Sequence, residues 1–189
     1  MKQINQKPKY YLSPSLLNCW IKGYDIVETI KREPKEETDL MRDGIEFERQ
    51  AIEGEIKELK PIVEDCLYQQ FLCKECEGYM LLGFADCIKK DTIYDFKFVK
   101  SYDLGKYNDS VQHLIYLYCA DMDKFEYVIG CGKRDREIFF EKQPRNDELL
   151  RTKIRQFSNW LNVVGLREEY EKNYSIERYK EQIENYLNW

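Results

Sequence analysis

Residues 83–100 constrain this chain more than any other stretch. They read Gly83-Phe84-Ala85-Asp86-Cys87-Ile88, then Lys89-Lys90-Asp91-Thr92, then Ile93-Tyr94-Asp95-Phe96-Lys97-Phe98-Val99-Lys100. Two runs rich in β-branched and aromatic residues flank a short charged break, which is how a β-hairpin looks in sequence. With the turn centred between Lys90 and Asp91, antiparallel pairing sets Asp86 opposite Asp95. Directly opposed residues have Cβ atoms roughly 4.5–5.5 Å apart. Two carboxylates that close repel unless a cation lies between them. Lys97 shares the face of Asp95, while Phe96 and Phe98 point to the other face, into a core. One sheet face thus gathers two carboxylates and an ammonium within apolar strands. The plain alternative is a salt-bridged pair on a solvated face, since Asp-x-Lys alone is a common pattern. The turn is also atypical, because two-residue turns favour Asn or Gly. A four-residue loop about the same centre keeps the register, whereas an odd-length loop shifts it by one.

The remaining composition suits an α/β domain of ordinary kind. At 189 residues, 43% hydrophobic and 34% charged, the chain can bury a core. No apolar run approaches the roughly 20 residues of a membrane span, and Met1 to Lys9 lacks an apolar signal core. The expected location is therefore intracellular, in the cytoplasm, with no membrane partner. The seven cysteines are odd in number and irregular in spacing, which argues against a disulfide framework. Cys73-x-x-Cys76 is the one metal-like spacing; with a single histidine, His113, it does not make a zinc site. The net charge of −5 does not advertise a nucleic-acid binder, and acidic site residues count toward that total. Basic residues cluster locally, as at Lys133, Arg134 and Arg136, and such clusters are usually solvated faces.

Read in order, residues 1–9 look like a flexible arm, and residues 10–189 like one domain with added helices from about residue 146. Ser13-Pro14 starts a helix, with Ser as N-cap and Pro at the first helical position. A second helix is expected over about residues 37–59, with Met41, Ile45, Ile52, Ile56 and Leu59 on its apolar stripe and Pro61 closing it. Glu48 falls on that stripe. It is either a paired or metal-bound carboxylate or an edge residue reaching water, and Glu55 is the competing candidate. A strand over residues 66–76 precedes the hairpin, and a polar loop follows it. Asp109 or Ser110 caps a helix over residues 111–120, whose core face is Val111, Leu114, Ile115 and Tyr118. Gln112 and Tyr116, four apart, share a neighbouring face. Two strands, 125–131 and 137–141, are joined by a basic turn at 132–135, and helices from Asn146 break near Asn173. This order predicts a central mixed sheet flanked by helices.

With the Glu48 helix beside the hairpin, three carboxylates converge. All-oxygen ligation suits Mg²⁺ or Mn²⁺ rather than zinc. Such an ion generates a nucleophilic water and stabilises charge on a phosphoryl oxygen, and Lys97 could orient that water. This is equipment for phosphodiester hydrolysis. His113, on a helix among apolar residues, reads as structural.

These residues resemble the PD-(D/E)XK nuclease superfamily, and within it the RecB-like and phage-type exonucleases, over about residues 10–165. The family's order is a helix with an acidic or histidine ligand, a strand with Asp, a strand with (D/E)-x-K, then a helix with Gln-x-x-x-Tyr. Here those places are taken by Gly44-Ile45-Glu46-Phe47-Glu48, Gly83-Phe84-Ala85-Asp86, Asp95-Phe96-Lys97 and Gln112-His113-Leu114-Ile115-Tyr116. Residues Tyr11 to Asn18 also look like the family's start. The resemblance implies a restriction-endonuclease-like core and an Mg²⁺- or Mn²⁺-dependent deoxyribonuclease. An exonuclease of recombination, repair or phage DNA processing fits better than an endonuclease. It implies Asp86, Asp95 and the Phe96 carbonyl as metal ligands, with Glu48 where many relatives carry histidine. Lys97 would position the water, and Gln112 and Tyr116 would contact DNA or brace the site. Cys19 could match the early cysteine of iron–sulfur relatives. No cysteine follows Cys131, so no iron–sulfur cluster is expected. DNA is the implied partner, with a homo-oligomer or a partner recombination protein possible by analogy. The alternative is a catalytically silent nuclease-fold module that binds DNA or protein.

Overall fold

A computed structural model describes residues 8–23, 25–34, 36–132 and 137–187. In chain order the first half holds β1 (Tyr11–Leu12), α1 (Pro14–Lys22), α2 (Ile26–Lys31), α3 (Asp39–Ile52), α4 (Lys60–Val63), β2 (Leu67–Cys76) and β3 (Tyr79–Lys89). The second half holds β4 (Thr92–Val99), α5 (Gln112–Ala120), β5 (Lys124–Cys131), β6 (Glu137–Gln143), α6 (Asp147–Val163), α7 (Arg167–Asn173) and α8 (Lys180–Leu187). The expected α/β architecture forms: a mixed six-stranded sheet, ordered β1-β3-β4-β5-β6 with β2 on β3, flanked by helices. Among the described residues no helix is long and apolar enough to cross a membrane. The basic turn expected at 132–135 falls, after Gly132, outside the described residues.

The hairpin has the expected register. Cys87 pairs with Tyr94, Ile88 with Ile93 and Lys89 with Thr92, about a turn in which Lys90 takes φ 53°. Asp86 and Asp95 would form the next rung, and there the ladder stops. β2 runs along one edge of β3 for nearly its whole length. The other edge is shared by β1 at Met80–Leu81 and β4 at Cys87–Lys89, so residues 82–86 have no strand on that side. β4 meanwhile pairs in parallel with β5 from Thr92 to Val99. The sheet therefore splits between β3 and β4, and the split begins at the two aspartates.

Strand alternation sets the two faces. Ile93 and Val99 of β4 and Tyr127 and Ile129 of β5 join the main core with α1, α5 and α6. Phe96 and Val128 join a smaller core with Phe47, Ala51, Leu59 and Val63 from α3, α4 and the 3-10 turn between them. Phe96 and Phe98 thus face a core, as expected, and Asp95 and Lys97 lie on the opposite face.

The helices follow local signals in part. Ser13 Oγ accepts the Leu16 N–H at 3.3 Å, Pro14 opens α1, and Gly23 at φ 72° ends it. Asn146 caps α6 by accepting the Leu149 N–H at 2.9 Å. The C-terminal helices break at residues 164–166 as well as after Asn173. The start of α5 is one residue later than expected. Its Gln112 N–H donates to Ser110 Oγ at 3.3 Å, and the Val111 N–H is taken at 2.9 Å by Asn18 Oδ1 of α1. Residues 1–7 of the expected arm lie outside the described residues. Pro8 is buried, and the Lys9 carbonyl accepts the Ile176 N–H at 3.0 Å.

The second helix corrects the sequence expectation. It ends at Ile52, and Gly54 at φ 72° turns the chain away. Leu59 is buried from the separate turn, and Pro61 sits in the first turn of α4 rather than closing a long helix. Its buried face is Phe47 and Ala51, whereas Met41 and Ile45 are 51% and 62% exposed. The reason is tertiary. Phe47 lies flat on Gly130 of β5, where an added Cβ would meet its ring carbons at 2.5–2.8 Å.

That seat has a testable cost. Gly130→Ala should destabilise the protein by about 1–3 kcal/mol through overpacking, read by urea unfolding. Gly44→Ala on the same helix has nothing within 4 Å of its Cβ and should be neutral or stabilising. Equal stability of the two variants would remove the seat as the anchor of α3.

Candidate active site

The site is built at the split. Asp86 Oδ2 accepts the Phe96 backbone N–H at 2.9 Å, so a side chain replaces the missing ladder bond. An extended strand directs the N–H and C=O of one residue to the same edge. The Phe96 carbonyl is therefore directed to that edge as well. Asp95 is fully buried and ion-paired through Oδ2 with the Lys97 ammonium, whose side chain keeps 29% of its surface. Gln112 Nε2 donates to Asp95 Oδ1 at 2.5 Å and lies 3.4 Å from Tyr116 Oη. Tyr116 Oη in turn donates to the Phe84 carbonyl at 2.8 Å, on the unpaired edge of β3. Gly83 makes room for this, because an added Cβ would stand 2.7 Å from the Tyr116 ring. Residues four apart on α5 thus hold β3 and β4 at the gap between them.

The electrostatics follow from crowding in a dry place. Burial first, and Asp95 and Glu48 beside it, push the Asp86 carboxyl up to about 8. Burial also raises Asp95, against the pull of Lys97. Burial opposes the Lys97 ammonium, but Asp95 and Asp86 outweigh it and hold the group above its ordinary value. Lys97 is therefore a charged, donor-only group. Tyr116 is raised by burial and then by Asp95.

Glu48 reaches this field from α3, although Met41 and Ile45 of its expected apolar stripe are exposed. It is half-buried and accepts a hydrogen bond from Gln69 Nε2 at 2.6 Å. Burial and then Asp95 raise its pKa, while Lys97 lowers it. Gln69 lies in β2 across from Asp86, at a rung that does not form, with φ 47°. No feature of the alternating pattern marks Gln69 in the sequence. The competing candidate Glu55 instead pairs with Arg49 at 3.0 Å. His113 is 4% exposed beside Phe125 and Tyr127, and burial lowers it to about 4, so it is neutral near pH 7. Cys73 and Cys76 are buried free thiols on β2.

Among the described residues, no three His, Cys, Asp or Glu side chains stand close enough to hold one metal ion. Glu48, Asp86 and Asp95 share a field without forming a ready cage. Asp86 is turned to a backbone N–H and Asp95 to an ammonium. The donor set nevertheless fits a hard divalent cation. It is all oxygen, it carries like charges that repel when bare, and it adds a carbonyl on the same edge.

No protein-family model matches the sequence, and no curated protein matches it. Solved structures do. A putative exonuclease from Eubacterium rectale superposes with a TM-score of 0.59 at 12% identity, covering 85% of this chain and 82% of its own. An alkaline exonuclease from Laribacter hongkongensis gives 0.58 at 12% identity, with 92% and 94% covered. A phage-related exonuclease from Haemophilus somnus gives 0.54 at 17% identity, with 87% and 95% covered. This chain shares its fold with these three proteins. The shared fold extends over 85–92% of this chain, and Asp86 and Asp95 meet at the split in its sheet.

The raised Asp86 pKa sets a pH dependence for the metal-free protein. An aspartate near 3.8 when unfolded and about 8 when folded leaves the native state holding the extra proton between those values. Stability should then fall as pH rises from about 4 to about 8. Urea unfolding in chelator across this range should show wild type losing stability relative to Asp86→Asn. Parallel curves would mean that Asp86 ionises normally.

Proposed function

We propose that this chain is a metal-dependent nuclease that hydrolyses DNA phosphodiester bonds, acting from strand ends. The observation that carries the reading is the placement of Asp86, Asp95 and the charged Lys97 where β3 and β4 part, braced by Gln112 and Tyr116. The three similar structures named above are described as exonucleases, and the Laribacter enzyme has been solved with dAMP, a deoxynucleoside monophosphate. A mononucleotide is the product that stepwise digestion of DNA releases.

Asp86, Asp95 and the Phe96 carbonyl would hold a Mg²⁺ or Mn²⁺ ion, with Glu48 at its rim. When bound, such an ion supplies a water of lowered pKa and stabilises charge on the phosphoryl oxygen. This chain's own residues do the rest. Lys97, donor-only, orients the attacking water and offsets developing negative charge. Gln112 fixes the Asp95 carboxylate from the side opposite Lys97. Tyr116 keeps the β3 edge at its distance from α5, so Asp86 and Asp95 stay opposed. A cation held here would favour the ionised form of the Asp86 carboxyl, which burial and its acidic neighbours otherwise disfavour.

Linear and closed-circular DNA should be incubated with Mg²⁺ or Mn²⁺. Linear DNA should be degraded and circles should survive. Asp86→Asn and Asp95→Asn should each lower the rate by at least about 10²-fold while circular dichroism shows a native fold. Mn²⁺ should raise the melting temperature of the wild type at pH 8 and not that of a variant carrying both Asp86→Asn and Asp95→Asn. Folded wild type that cuts neither substrate with either ion would favour the binding-module reading.

A further inference from the structure

The crossover from β4 to α5, residues 100–111, leaves the sheet just past Lys97 and returns at Gln112, so both of its ends belong to the site. In open α/β sheets, ligands bind beyond the carboxyl ends of strands. The loop is a series of turns with internal bonds: Lys106 N–H to Asp103 O at 3.2 Å, Asn108 N–H to Gly105 O at 3.0 Å and Ser110 N–H to Tyr107 O at 3.0 Å. Its two shoulders are pinned from outside. Tyr102 lies 4.8 Å from Phe139, centroid to centroid, and donates to Glu141 Oε2 at 2.7 Å. Tyr107 stacks on Tyr127 at 4.5 Å, and Tyr127 is the β5 residue in register with Asp95. Burial and then the Asp95 charge raise the Tyr107 hydroxyl, which agrees with that placement.

The latch is costly. Glu141 is only 5% exposed, and among the described residues its bonds come from the neutral Tyr102 hydroxyl and the Gln143 amide at 2.6 Å. A buried carboxylate served by neutral donors is not a cheap way to close a loop. Gln143 also reaches Asn108 Oδ1 at 3.3 Å, so one buried cluster secures both shoulders. What it secures is a crown bearing Leu104, 87% exposed. A lone exposed leucine is ordinary on a loose loop. Here the backbone is held, and Leu104 lies three residues from Tyr107, within about 10 Å along the chain.

We propose that Leu104 packs on the face of a nucleobase in the strand whose phosphodiester lies at Asp86 and Asp95. The inference rests on the nuclease reading above. Every base has an apolar face, so an aliphatic contact grips a strand without choosing its sequence. The surrounding loop is held in advance, so little ordering entropy is lost on binding.

The test is steady-state digestion of oligonucleotides, intact or with one abasic position at each of the first four nucleotides from either end. Leu104→Ala should raise KM about fivefold with kcat nearly unchanged, and Leu104→Met should restore it. At one abasic position, wild type should show the same KM loss, and Leu104→Ala should add nothing further. DNA cutting with an unchanged KM for Leu104→Ala, or with losses that add at every abasic position, overturns the inference and leaves the nuclease reading standing. Wild type that cuts no DNA overturns both.

Discussion

Two carboxylates that should repel face each other at the one place where the central sheet comes apart. A fourth β3–β4 residue pair, beyond the hairpin's three rungs, could have continued the ladder only by bringing Asp86 and Asp95 side by side, in a site where Asp95 has no exposed surface. Instead the strands diverge. Asp86 spends one oxygen on the Phe96 N–H, and Asp95 spends both on Lys97 and Gln112. The split, the ammonium and the helical brace are all consequences of keeping that pair within one small volume.

The brace itself depends on absences. Gly83 lets the Tyr116 ring lie against β3, and Gly130 lets Phe47 lie against β5, which sets the height of α3 and so the reach of Glu48. In both places the missing side chain belongs to a strand and the ring belongs to a helix. Packing density leaves no slack at such contacts, so geometry at the site is set by residues that carry no chemistry.

Much of this was legible in the sequence where the cause is local. The hairpin register follows from the charged break and the flanking alternation, and it placed Asp86, Asp95, Lys97 and Phe96 correctly relative to one another. The cap at Ser13 and the pairing of Gln112 with Tyr116 are likewise short-range. The face of α3 was not legible. Period alone favoured Met41 and Ile45, and a glycine more than eighty positions away decided for Phe47 instead. Gln69 gave no signal, because its role depends on a left-handed backbone inside a strand. The Glu141 latch was hidden for a similar reason: it joins Tyr102 and Asn108 of the crossover loop to β6, more than thirty positions on.

One helix serves two ends. α5 is the crossover that lets β4 and β5 run parallel, and it is also what spans the gap to β3. Parallel pairing of this kind is non-local, whereas the hairpin is local. When it closes, Gln112 is delivered to Asp95 in the same event. The candidate site is therefore not finished on a completed scaffold; docking the crossover completes sheet and site together, and any opening that undocks α5 dismantles both at once.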